Sequence, residues 1–121
     1  MTTVLYRRFD GGERLLYIGI SDWLYDRAVM HGAKSLWTEF AATGTNTWYP
    51  SRAEAKQAEE AAIREERPLF NRYHSALGAK ERLVDYLTAL GRADLLEAIS
   101  SWKWSYSETG RCRSASIEAP R

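Results

Sequence analysis

A glutamate on the apolar side of a predicted helix is the first candidate for chemistry in this sequence. Glu59 has alanine or isoleucine at its i−4, i+3 and i+4 positions, whereas its neighbour Glu60 has a basic residue at both i−4 and i+4. An ionised carboxylate among apolar side chains costs free energy unless a cation compensates its charge. Glu59 is therefore a candidate metal ligand, although its spacing alone favours an arginine or lysine partner from another element.

A second pair of residues suits phosphate binding. Arg27 and His31 are four residues apart and share one face of a helix predicted over residues 22–31. A guanidinium beside an imidazole disfavours charge on either group, which is poor for stability but suits a site that binds an anion. From spacing alone, an ion pair with Asp26 or Glu59 explains Arg27 equally well. His31 is better explained as a cation at the C-terminal end of the helix.

Two tyrosines on neighbouring strands complete the set of candidates. Tyr6 and Tyr17 lie in the two arms of a predicted hairpin, where each alone is typical of strand packing.

The histidines and the cysteine offer fewer candidates for chemistry. Two histidines are too few for a metal cage built from histidine, and the single cysteine, Cys112, excludes an internal disulfide framework and a multi-cysteine zinc site.

The strands that carry these tyrosines are predicted at residues 2–9 and 14–20. Between them, the Asp-Gly-Gly sequence at residues 10–12 favours a hairpin turn, because it supplies residues that tolerate positive φ. Alternation along the first strand places Tyr6 on one face and its neighbours on the other. Gly19, inside the second strand, predicts a bulge or the close approach of another backbone.

A third strand is predicted at residues 47–49, after a polar turn at residues 43–46. Ser51 and Glu54 then form a capping box, which opens a helix over residues 52–66. This helix carries Glu59 and has the clearest start signal in the chain. Other helices are predicted at residues 22–31, 36–42, 79–90 and 93–102, with Gly91 as a C-terminal cap.

Together these residues resemble the GIY-YIG nuclease family. Residues 16–21, which read LYIGIS, are similar to the second motif of that family. The first motif ends in a tyrosine eleven residues before Tyr17, and Tyr6 stands there. The glycine and the middle residue of this first motif are replaced by Val4 and Leu5, which are ordinary strand residues, while the tyrosine is retained.

The helices extend the resemblance over residues 2–73. Arg27 matches the arginine that the family carries on its first helix, and His31 matches a histidine found one turn later in some members. Glu59 matches the glutamate of the later helix, and Asn71 matches the asparagine that ends the following segment. Several matches at the expected spacing make the resemblance specific.

The resemblance implies a DNA endonuclease that hydrolyses phosphodiester bonds with one divalent ion and leaves 5′-phosphate and 3′-hydroxyl ends. Glu59 would be the only protein ligand of a Mg²⁺ or Mn²⁺ ion, which commonly takes one or two carboxylates and keeps its waters. Arg27 would clamp the scissile phosphate. Tyr6 would hold or deprotonate the attacking water, with His31 as the candidate relay, and Tyr17 would orient the water or the phosphate.

The implied fold is α+β, a small antiparallel three-stranded sheet flanked by helices, with a C-terminal helical extension. Residues 1–74 would form the nuclease core, in which Gly19 and Asn71 support the site. Residues 75–104 would form the extension, and residues 105–121 a disordered tail, because their composition has no periodicity. The extension would pack on the core or form a homodimer interface through its apolar face, which comprises Leu83, Tyr86, Leu87, Leu90, Leu95, Leu96 and Ile99.

The composition fits one globular domain. The chain has 121 residues, of which 45% are hydrophobic and 27% charged, and these values are typical of soluble proteins. Its formal net charge of +1 gives no general basic excess, so DNA binding needs a local patch or a partner protein that delivers the substrate. No apolar run approaches the ~18 residues that cross a bilayer. Because the start also lacks a secretory pattern, we expect no membrane association and a cytoplasmic location.

The alternative function is a binding module with the same fold that grips nucleic acid or a protein without cutting. The 5 Trp, 7 Tyr and 3 Phe residues suit either a packed core or base stacking, so composition does not separate the two functions. The joint presence of Tyr6, Arg27 and Glu59 favours cleavage.

Overall fold

The computed structural model describes residues 2–22 and 35–106. Within these residues the chain is α+β, with one three-stranded antiparallel sheet and three α-helices, so the fold class expected from the sequence is confirmed at this level. The chain divides into two compact units, residues 1–62 and residues 63–121. The division at residue 74 into a nuclease core and an extension stays a prediction.

The sheet lies in the first unit. Its strands are β1 (Thr3–Phe9), β2 (Leu15–Ser21) and β3 (Thr43–Tyr49), in the order β2-β1-β3. The central strand β1 is antiparallel to both neighbours, so it is hydrogen-bonded along both edges. Four fully buried aliphatic side chains, Val4, Leu5, Leu16 and Ile18, anchor β1 and β2 in the core.

Strand β3 is longer than predicted. The prediction of a polar turn at residues 43–46 is wrong, because these residues pair with β1. The register is unbroken and runs from Thr43, opposite Phe9, to Tyr49, opposite Thr3. No residue of β3 is buried, so hydrophobic alternation does not mark the strand in the sequence. Its threonines at alternate positions are the local feature that favours a strand.

The hairpin turn between β1 and β2 also differs from the expectation. The carboxylate Oδ1 of Asp10 accepts hydrogen bonds from the backbone N–H groups of Gly12 (2.9 Å) and Arg14 (2.8 Å). The residue with positive φ is Glu13, at 67°, rather than one of the two glycines. The turn is therefore held by the aspartate side chain, and its left-handed position is taken by a residue with a Cβ atom.

The helix that carries Glu59 has the predicted bounds. Helix α1 (Arg52–Glu66) starts with the expected capping box, in which the Ser51 hydroxyl accepts a hydrogen bond from the Glu54 N–H at 3.2 Å. Lys56 and Glu60 form an ion pair at 3.6 Å, as the i,i+4 spacing indicates. The opposite side of the helix is apolar, with Ala55, Ala62 and Ile63 all buried.

The second unit contains α2 (Ala79–Ala89), which ends in a Schellman arrangement. Gly91 adopts a φ of 70°, and its N–H donates to the carbonyl of Thr88 at 3.0 Å. The N–H of Arg92 donates to the carbonyl of Leu87 at the same distance. The prediction that Gly91 caps this helix is confirmed.

The last helix, α3 (Ala93–Ile99), is shorter than the predicted 93–102. Its end coincides with Ser100, whose hydroxyl donates to the carbonyl of Glu97 at 2.6 Å and so competes with the helical hydrogen bonds. One predicted member of the apolar face, Leu90, is 48% exposed because it follows the last turn of α2. Leu83, Leu87, Leu95 and Ile99 are buried as expected.

Two residues of the predicted tail are part of the folded second unit. The N–H of Ser105 donates to the carbonyl of Arg72 at 2.8 Å, and its carbonyl accepts from the N–H of Ser75 at 3.0 Å. Tyr106 forms a parallel bridge with Ser75. The rest of the tail, residues 107–121, lies outside the described residues.

The helix predicted over residues 22–31 also lies almost entirely outside the described residues, and with it Arg27 and His31. Cys112 lies outside them as well. Among the helices that the structure does describe, each is too short or too polar to cross a membrane.

Candidate active site

The candidate side chains on the sheet share one face. The register places Tyr6 of β1 between Gly19 of β2 and Asn46 of β3, and it places Arg8 opposite Tyr17. Alternate residues of a strand point to the same face, and directly paired residues of neighbouring strands do so as well. The sheet therefore brings both motif tyrosines together with an arginine and an asparagine.

Tyr6 lies over the backbone of β2 at Gly19. Its side chain is buried, and a Cβ atom placed on Gly19 would meet the Tyr6 Oη at 2.5 Å and its Cζ at 2.6 Å. The close approach predicted at Gly19 is made by this side chain rather than by another backbone. The bulge considered for Gly19 lies instead at the hairpin end, where the register shifts between Arg8 and Phe9.

Tyr17 is held between two aromatic rings. Its ring centroid is 6.2 Å from that of Tyr6, with the planes tilted by 36°. The Tyr17 ring also stacks on the ring of Trp37, with the ring centroids 5.1 Å apart and the planes inclined by 11°. Trp37 comes from a single 3₁₀ helix, Leu36–Phe40, where a longer helix to residue 42 was predicted. A segment this short gives no periodic signal, so sequence reasoning did not identify Trp37.

Arg8 places a cation against the ring of Tyr6. Its Cζ atom is 4.9 Å from the ring centroid, within the range of a cation–π contact. Its Nη1 donates to the carbonyl of Arg7 at 2.9 Å and to Oδ1 of Asn46 at 3.3 Å. Burial lowers the pKa of the Arg8 guanidinium from its ordinary value, and attraction to the Tyr6 side chain opposes this shift. Its spacing of two residues from Tyr6 on one strand is the signal that could have identified it.

Gly44 of β3 provides the space for Arg8. A Cβ atom on Gly44 would approach Nη1 of Arg8 at 2.6 Å and the carbonyl oxygen of Arg7 at 2.7 Å. One glycine on each outer strand therefore accommodates a side chain of the central strand, Gly19 for Tyr6 and Gly44 for Arg8. This arrangement fixes both side chains of β1 against their neighbours.

The helix that carries Glu59 is tied to the sheet at its first residue. Asp22, directly after β2, accepts a hydrogen bond from the Thr3 hydroxyl at 2.6 Å and forms an ion pair with Arg52 at 3.3 Å. Thr3 is fully buried at the start of β1. The carboxylate of Asp22 thus joins the beginning of β1, the end of β2 and the start of α1.

Glu59 offers a carboxylate suited to one hydrated divalent ion. It is half-buried on the same side of α1 as the buried Ala55, Ala62 and Ile63. In the part of the chain that the structure describes, no three His, Cys, Asp or Glu side chains form a cluster that could hold a metal. A single carboxylate with water ligands fits Mg²⁺, which dehydrates reluctantly, and does not fit a structural zinc ion.

Of the predicted site residues, the structure brings Tyr6, Tyr17 and Gly19 together on the sheet. Asn71 is buried in the second unit, where its carbonyl accepts a hydrogen bond from the Ser75 hydroxyl at 2.6 Å. Arg27 and His31 fall outside residues 2–22 and 35–106. Comparisons of the chain with protein-family models, curated proteins and solved structures give no significant match.

Proposed function

We propose that this chain is a metal-dependent DNA endonuclease that hydrolyses phosphodiester bonds in the manner of the GIY-YIG family. The observation that carries the proposal is the packing of the Tyr6 hydroxyl over Gly19, with Tyr17 beside it on the same face. Two tyrosines at the spacing of the two motifs meet only because the strands pair in this register. The three-stranded antiparallel sheet is compatible with the fold that the resemblance implies.

Tyr6 holds the attacking water and takes up its proton. A phenol with the ordinary pKa of about 10 is a weak base at neutral pH, so the reaction needs a nearby positive charge or a relay. The Arg8 guanidinium above the ring supplies such a charge, because it favours the phenolate over the neutral phenol. His31 is the proposed relay for the proton.

Tyr17 and Arg27 position the substrate. Stacking on Trp37 restricts the ring of Tyr17, so its hydroxyl is preorganised to donate a hydrogen bond to the phosphate or to the attacking water. Arg27 is proposed to bind two oxygens of the scissile phosphate through its planar guanidinium. Displacement of the 3′ oxygen then leaves a 5′-phosphate and a 3′-hydroxyl.

Glu59 is the proposed ligand of one Mg²⁺ or Mn²⁺ ion. Its carboxylate is half-buried beside the apolar side of α1, and partial burial of an anion favours its pairing with a cation. When bound, the ion stabilises negative charge on the leaving oxygen.

The test compares two neighbouring carboxylates. Supercoiled plasmid is incubated with the full-length protein in Mg²⁺, in Mn²⁺ and in EDTA, alongside the Glu59→Gln and Glu60→Gln variants. We expect metal-dependent nicking by the wild type and by Glu60→Gln, and a loss of at least about 100-fold in Glu59→Gln, as for removal of a group that stabilises the transition state. Full activity of Glu59→Gln would overturn its role as metal ligand.

The second candidate function, a module that binds without cutting, is favoured by one observation. Trp48 lies on the same sheet face as Tyr6 and is 55% exposed, and an exposed indole can stack on a base. This function predicts that an oligonucleotide with unpaired bases is retained in a gel-shift assay, and that plasmid stays uncut in every metal.

A further inference from the structure

The second unit brings two aromatic segments side by side. Residues 72–75 and 102–106 are joined by backbone hydrogen bonds from the N–H of Ser105 to Arg72 and from the N–H of Ser75 to Ser105. The parallel bridge between Ser75 and Tyr106 continues this pairing. Side chains from both segments therefore contribute to one surface.

Aromatic rings and cations alternate on this surface. The Cζ atom of Arg72 lies 4.8 Å from the ring centroid of Trp102 and 5.4 Å from that of Tyr73. The ring centroids of Trp102 and Trp104 are 6.0 Å apart. Tyr73 is 55% exposed and Tyr106 39% exposed. We call this the aromatic–basic surface, comprising Arg72, Tyr73, Trp102, Lys103, Trp104 and Tyr106.

The charge of these segments has one sign. Residues 72–75 contain Arg72 and residues 102–106 contain Lys103, while neither segment contains an aspartate or a glutamate. The chain as a whole is nearly neutral, so this is a local basic concentration rather than a general one. Such a patch attracts a polyanion.

We propose that the aromatic–basic surface binds single-stranded DNA, with unpaired bases stacked on its exposed rings and phosphates paired with Arg72 and Lys103. Packing within the unit accounts for Arg72 against Trp102, because that contact holds the two segments together. Packing within the unit does not account for the exposure of Tyr73. Base-paired DNA keeps its bases in the helical stack, so an exposed ring favours an unpaired strand.

This proposal goes beyond cleavage, and only the choice of DNA over RNA rests on the proposed function. Binding is therefore measured in EDTA with the full-length Glu59→Gln protein, so that cleavage plays no part. The probe is a fluorescein-labelled oligodeoxythymidine followed by fluorescence anisotropy, compared with a duplex of equal length. We expect tighter binding of the single strand.

Variants of the surface separate stacking from charge. Tyr73→Ala should weaken binding about tenfold and Tyr73→Phe should restore it, since stacking needs the ring and not the hydroxyl. Lys103→Ala should lower the slope of log affinity against log salt by about 0.7, the value for one phosphate contact on a single strand. Lys56→Ala removes the same charge from the exposed side of α1 and serves as the matched control, with less than a twofold effect expected.

Wild-type affinity of a folded Tyr73→Ala protein, checked by circular dichroism, would overturn the proposal. Equal losses in Lys103→Ala and Lys56→Ala, or equal affinity for duplex and single strand, would also overturn it, because the attraction would then be general. Tighter binding of the matching oligouridine would overturn DNA as the ligand. None of these outcomes depends on whether the plasmid assay detects cleavage.

Discussion

At the scale of single residues, Gly19 is a position at which the packing of Tyr6 can be tested directly. Adding a methyl group there places it 2.5 Å from the Tyr6 hydroxyl, so the buried tyrosine must move. We expect Gly19→Ala to reduce the free energy of unfolding by about 1 to 3 kcal/mol, the usual cost of overpacking, and to abolish plasmid cleavage. Urea denaturation followed by circular dichroism measures the first effect.

Two matched variants show whether the cost of Gly19→Ala comes from Tyr6. A Cβ atom on Gly11 meets no other atom within 4 Å, so Gly11→Ala should change stability by less than about 0.5 kcal/mol. In a Tyr6→Ala background only the Cε2 atom of Tyr17, at 2.9 Å, remains close to the added methyl group, so Gly19→Ala should then cost less than it does in the wild type. Additive losses in the double variant would contradict the packing of Tyr6 over Gly19.

At the scale of elements, the β1–β2 hairpin keeps a non-glycine residue in the left-handed region. Glu13 has a φ of 67°, a conformation that costs a residue with a Cβ atom about 1 kcal/mol or more. Glu13→Gly should therefore raise the free energy of unfolding by about 0.5 to 1 kcal/mol, even though glycine gains entropy in the unfolded chain. Glu13→Ala keeps the Cβ atom and should give no gain, and urea midpoints of both variants test this.

Elements with local signals were predicted well, and those that depend on distant partners were not. Helix α1 has the predicted bounds because a capping box starts it and its apolar stripe continues to the end. The turn predicted at residues 43–46 was wrong because only pairing with β1 makes these polar residues a strand. The motifs predict Tyr6, Tyr17 and Gly19. Alternation along β1 places Arg8 on the face of Tyr6 but does not show that its guanidinium packs over the ring.

At the scale of the whole molecule, the chain boundary between the two compact units falls within α1 and not at its end. Ala62 is the last residue of the first unit and Ile63 the first residue of the second, so one continuous helix belongs to both. The resemblance to a nuclease family covers residues 2–73 and suggested a boundary at residue 74. A sequence motif marks the residues needed for chemistry, and these need not coincide with the residues that fold together.

Truncation after Tyr73 tests this difference. Leu69 and Phe70 are 3% and 4% exposed, and the Phe70 ring packs edge-on against Tyr86 of α2 at 6.3 Å. Removing residues 74–121 deletes that partner, and exposing the Phe70 side chain costs about 1.5 to 3 kcal/mol, a substantial part of a typical domain's stability. We expect the fragment to bind the dye ANS, to aggregate in size-exclusion chromatography and to lose cleavage. A monodisperse fragment that melts with the full-length protein would instead show that residues 1–73 fold independently.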